Sequence, residues 1–188
     1  MSVNKKHGPF SIRTLTSCAV LVALTVVLSR FLVITPNESS RYSIEAVPIF
    51  LSGMLFGPVA GALVGFAADF IGCIFSPFGY NPIFSLPPVL YGLCAGLFGR
   101  FLCQKGSLVR VVLAFACPIV IGSVLWQSFA LTVVYGAGKT EYFGAMLFSR
   151  TIQYAVMWVL DSLIVWLLIR SRLLSSAGLL DQTGEHKK

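Results

Sequence analysis

Eight polar side chains stand in or beside sequence that is otherwise apolar: Arg30, Arg41, Glu45, Asp69, Gln127, Arg150, Gln153 and Asp161. An ionisable group at membrane depth is expensive to bury, so each is a functional candidate. The arginines match carboxylates in a bidentate fork. A carboxylate such as Asp69 or Glu45 accepts paired N–H donors from an amino-substituted ring. Gln127 and Gln153 must hydrogen-bond something, because an unpartnered buried amide costs about 1–3 kcal/mol. Tyr42, Phe78, Tyr80 and Phe84 add aromatic surface nearby, as an interfacial belt or as a stacking platform for a flat ligand. Together these residue types suit an amphipathic ligand with a planar heterocycle and anionic groups. The bland alternative is that the charges pair only with one another.

The chemistry has narrow bounds. His7 and His186 are the only histidines and both lie at polar ends. That argues against a histidine-dependent intramembrane hydrolase or a histidine-ligated zinc site in the apolar body. No G-x-x-x-x-G-K-[ST] loop is present to cradle a triphosphate. The five cysteines, Cys18, Cys73, Cys94, Cys103 and Cys117, form no C-x-x-C pair and read as packed thiols.

The elements that must position these residues are membrane helices. The chain has 188 residues, 56% hydrophobic and 11% charged, against about 25% charged in a soluble domain. Mean hydropathy is +0.85. Uncharged stretches long enough to cross a bilayer, divided at Gly57-Pro58 and at the loop 76–82, predict six helices. They lie near 12–34, 45–57, 59–75, 84–104, 109–136 and 143–172. The second is too short to cross straight and must be broken or buried against its neighbours. The fold class read from this pattern is an all-α integral membrane protein, a compact bundle of six transmembrane helices. Residues 12–172 form the membrane domain, between a polar N-terminus at 1–11 and a polar C-terminal tail at 173–188.

Most of the fourteen Lys and Arg fall at the two ends and around the 104–109 turn, on one side of an even-span bundle. By the positive-inside rule both termini are cytoplasmic. The net charge of +7 therefore reads as topology and not as nucleic-acid binding. Arg30, Arg41, Glu45, Asp69 and Arg150 then fall in the outer half, where one outward-facing cavity could gather them. Gly53, Gly57, Gly61 and Gly65, with Gly92 and Gly96, recur every fourth residue, as in close helix packing in lipid. Ala19 and Ala23 repeat that spacing on the first helix, either for internal packing or for docking a partner.

The chain resembles the substrate-binding (S) components of energy-coupling factor (ECF) vitamin transporters, most of all the folate-specific type. The resemblance rests on Ala19-x-x-x-Ala23, on 41–48 from Arg41 to Pro48, on 51–61 and on 65–72 around Asp69. It also rests on the loop 77–86 and on Arg150 with Gln153, and it spans roughly 12–172. It implies a non-enzymatic subunit in the bacterial cell membrane that captures folate or reduced folates from outside. It further implies docking through Ala19 and Ala23 to a transmembrane coupling (T) protein driven by two ATPases, which bind the ATP. The implied ligand residues are Arg41, Asp69 and Arg150, followed by Arg30, Glu45, Tyr80, Gln127 and Gln153. The chain departs from the folate pattern at Asn81-Pro82-Ile83 and Pro87-Pro88. This leaves dimethylbenzimidazole, pantothenate or riboflavin open as ligands. Two other classes remain: an intramembrane aspartyl enzyme using Asp69 and Asp161, and a solo secondary transporter.

Overall fold

Apolar helices account for nearly all of the chain's described length. A computed structural model describes residues 12–37, 40–75, 80–103, 108–135 and 140–171. The expected polar ends lie outside them. Helix α1 spans Ile12–Arg30, α2 Ala46–Phe56, α3 Pro58–Ile74 and α4 Leu86–Cys103. A longer rod follows, built from α5 (Leu108–Pro118), a π-helical stretch (Ile119–Trp126) and α6 (Gln127–Tyr135). Helix α7 runs from Thr140 to Arg170. Counting the composite rod once, the expected six-helix, all-α bundle is the fold.

Two details differ from the sequence reading. The first helix ends at Arg30, not near 34, with Phe31 N donating to Val27 O at 2.9 Å in the closing turn. Val33, Ile34 and Thr35 form a β-branched run, and Pro36 drives Thr35 away from helical geometry. The chain therefore extends into β1 (Ile34–Asn37), which pairs antiparallel with β2 (Ser40–Tyr42). The stretch expected to be plain loop holds this ribbon, and β2 packs on α7. The second difference is the π-helical stretch, which begins directly after Pro118. Proline has no N–H to continue the ladder, and i→i+5 winding turns the face of α6 relative to that of α5.

Helix α2 has 11 residues and is buried from Ala46 to Leu55. At 1.5 Å per residue it covers roughly half of a ~30 Å hydrocarbon core. Gly57, at φ 95°, makes the turn that Pro58 converts into the start of α3. Glycines then bring three backbones into contact. A Cβ on Gly92 of α4 would fall on the carbonyl of Gly61 of α3. One on Gly61 would come within 2.5 Å of Gly53 Cα. One on Gly96 would strike Pro58. The glycine spacing thus serves internal packing of α2, α3 and α4.

The core lies between this glycine-locked group and the rods α5 to α7. Phe50 stacks on Phe115 with ring centroids 3.9 Å apart, and Ile49, Val111 and Val165 are fully buried around them. The outer surface carries Leu15, Val20, Leu63, Phe66, Leu97, Leu113 and Val159, all exposed. Such a surface suits lipid. Leu108–Val134 and Leu147–Arg170 are each long and apolar enough to cross a membrane.

Candidate functional site

Arg30, at the end of α1, Glu45, at the head of α2, and Asp69, in α3, line one small cavity with Thr25, Ser29, Ile49, Ala68 and Pro88. Three of the predicted residues therefore converge, each supplied by a different helix. Glu45 enters the cavity from the N-terminal end of α2. The cavity measures about 30 Å³, room for a water or two, so a heterocycle requires its walls to part.

Asp69 is held from the loop side. Ser85 Oγ donates to Asp69 Oδ2 at 2.5 Å. With that proton committed, the Tyr80 hydroxyl donates to Ser85 Oγ across 3.1 Å. The Tyr80 ring meets Phe70 edge-on, 5.2 Å between centroids. Ser85 closes a 3₁₀ turn, Pro82–Ser85, capped by the Asn81 side chain, which accepts from Ile83 N. Trp126 Nε1 donates to Ile83 O at 2.8 Å, fastening the same turn to the π-helical stretch. One oxygen of Asp69 is thus engaged by a hydroxyl, and the carboxylate is fixed in direction.

The Arg30 guanidinium lies over Gly72, whose missing side chain leaves it space: a Cβ there would come within 3.0 Å of Nη2. Nη2 is 4.0 Å from Cys73 Sγ. Its buried Nε has no hydrogen-bond acceptor among the described residues.

A second polar group sits between the composite rod and α7. Tyr154 donates its hydroxyl proton to Gln127 Oε1 at 2.7 Å, and Arg150 Nη1 approaches the Tyr154 oxygen at 3.4 Å. The Tyr91 and Ser123 hydroxyls are 2.9 Å apart. Gln153 and Asp161 are almost completely buried on α7. Glu45 interacts electrostatically with Tyr91, Tyr154 and Asp161, which joins this group to the first.

The remaining predicted residues fall as follows. Arg41 is on β2, the strand packed on α7; its side chain lies outside the described residues, as does Phe78. Tyr80 is 40% exposed beside the cavity turn, while Tyr42 and Phe84 are half-buried. Ala19 and Ala23 are both exposed on α1.

Sequence reasoning passed over Ser85, Tyr91, Ser123 and Tyr154. The spacing Arg150-x-x-x-Tyr154 places two polar groups on one helical face and was the available signal for Tyr154. Nothing local marks Ser85, whose role depends on a turn folding back onto α3.

The chain matches, over residues 9–170, the family model described as the ECF-type riboflavin transporter, S component. The folate transporter FolT of Clostridium novyi (strain NT) is 28% identical over 149 residues, 79% of this chain and 83% of that one. Among solved structures, FolT bound with folic acid superposes with a TM-score of 0.75 at 26% identity, covering 86% of this chain and 95% of that one. A ThiT from Listeria monocytogenes has the same fold, with a TM-score of 0.63 at 17% identity, covering 89% and 97%.

Proposed function

We propose that this chain, which belongs to the family of ECF-type riboflavin transporter S components, is a membrane-embedded binding subunit for folates. It is a transporter component and not an enzyme, and its family is membrane-embedded. The observation that carries the ligand assignment is the Asp69 carboxylate, oriented by Ser85 in a cavity shared with Glu45 and Arg30. A folate's amino-substituted ring offers paired N–H donors to such a carboxylate, and its tail carries two carboxylates for arginine. Riboflavin has neither an exocyclic amino group nor a carboxylate. The likeness to FolT in sequence and in structure supports the same reading. The description of the family favours riboflavin as the second reading.

In this reading Arg30, Arg41, Glu45, Asp69, Tyr80, Gln127, Arg150 and Gln153 form the substrate site. The ligand enters from outside, with both termini cytoplasmic in a bacterial cell membrane. Ala19 and Ala23 dock the transmembrane coupling protein, and two partner ATPases bind the ATP, so the chain itself takes no cofactor.

Calorimetric titration of the purified chain in detergent tests the assignment. Folic acid and 5-formyltetrahydrofolate bind one to one without ATP. Riboflavin, thiamin, pantothenate and dimethylbenzimidazole give no heat. Saturable binding of riboflavin alone would transfer the site to the second reading.

A further inference from the structure

We infer that Tyr154 is a positioning residue that orients Gln127 as a hydrogen-bond donor, so that Gln127 and Arg150 together read the anionic tail of the ligand. The inference rests on the folate reading and adds to it a direction for the ligand and a residue the sequence did not mark.

Donors and acceptors set the polarity of this group. Tyr154 gives its only proton to Gln127 Oε1 at 2.7 Å. That fixes which end of the amide faces the tyrosine. The carbonyl oxygen is occupied, and the two protons of Nε2 point elsewhere. The Tyr154 oxygen faces Arg150 Nη1 at 3.4 Å, so the chain Arg150 → Tyr154 → Gln127 runs in one sense, each hydroxyl or amide polarised by the one before. Arg150 Nε is buried and has no acceptor among the described residues. A buried donor without an acceptor is costly, and here it lies beside an amide already turned to donate. This end of the site therefore presents N–H groups and calls for an acceptor of negative charge.

The opposite end is built with the reverse polarity. Ser85 holds Asp69 through one oxygen and leaves the carboxylate to accept. A ligand with a donor-bearing ring and an anionic tail has one orientation that satisfies both ends: ring toward α3, tail toward α6 and α7. Glu45, at the head of α2, lies within electrostatic range of Tyr154, so a purely structural role, in which these donors serve the protein's own carboxylate, makes a different prediction.

The test uses two ligands that differ only in the tail: folic acid and its bisamide, in which both carboxylates are capped. Both are titrated into the full chain, wild type and variants, in detergent. Wild type binds folic acid more tightly than the bisamide. Tyr154→Phe keeps the ring and lowers folic acid affinity about tenfold, with bisamide affinity changed less than twofold. Gln127→Glu keeps an acceptor for Tyr154 but replaces the Nε2 donor with negative charge. It weakens folic acid at least tenfold more than it weakens the bisamide. If both variants weaken the two ligands equally, or neither ligand at all, Tyr154 has only a packing role and the inference is overturned. Wild-type protein that binds neither ligand overturns the folate reading, and this inference with it.

Discussion

At the scale of single residues, Asp69 and Ser85 carry the sharpest expectations. Asp69→Asn keeps an oxygen for Ser85 to donate to but removes the charge and one acceptor. Hydrogen bonds to charged groups contribute roughly 1.5–3 kcal/mol, so folic acid affinity falls by about tenfold to a hundredfold, read by calorimetry, while the thermal melt stays near wild type. An unchanged affinity would remove Asp69 from the ring-binding end. The residue types were readable from the chain, because a carboxylate or arginine inside an apolar run stands out against its neighbours. The partner of Asp69 was not readable. Ser85 is an ordinary serine until the turn Pro82–Ser85 brings it to α3.

At the scale of elements, the α2–α3–α4 group behaves as one body because its backbones touch. Gly92 is the tightest of these points, with the carbonyl of Gly61 where a Cβ would go. Gly92→Ala must push α3 and α4 apart, and overpacking of this kind costs about 1–3 kcal/mol or more. A lowered melting temperature in detergent, of several degrees, is the expected result. A melt equal to wild type would mean that the helices are not held this closely. The four-residue glycine spacing announced close approach, whereas the identity of the touching helices depended on how 45–104 folds back on itself. The ribbon of β1 and β2 and the π-helical stretch after Pro118 were missed for a common reason. The π-helical stretch lies inside a long apolar segment and the ribbon in the polar stretch between two helices, and hydropathy alone is blind to how either backbone is wound. Pro36 and Pro118 were the visible clues.

At the scale of the whole molecule, the exposed Ala19 and Ala23 face makes a separable prediction. Ala23→Trp fills that face without entering the ligand cavity, so folic acid affinity remains within about twofold of wild type. The variant should fail to co-purify with the coupling protein and its ATPases, and ATP-dependent uptake into proteoliposomes should be lost. Normal assembly with the tryptophan in place would place the docking surface elsewhere on the molecule.

Composition and patterning by themselves determined the solvent, the number of rods and the membrane-depth charges. These follow from the cost of placing polar groups in hydrocarbon, a cost paid residue by residue along the chain. Local motifs carried the family resemblance, which the match over residues 9–170 bears out. Only the tertiary structure decided that Arg30, Glu45 and Asp69 share a cavity and that Ala19 and Ala23 look outward. It alone ordered Arg150, Tyr154 and Gln127 into one hydrogen-bonded chain that ends on the Gln127 carbonyl oxygen. Those outcomes depend on contacts between helices far apart in sequence, where a hydrogen bond is set by the approach of two backbones and not by either segment's own composition.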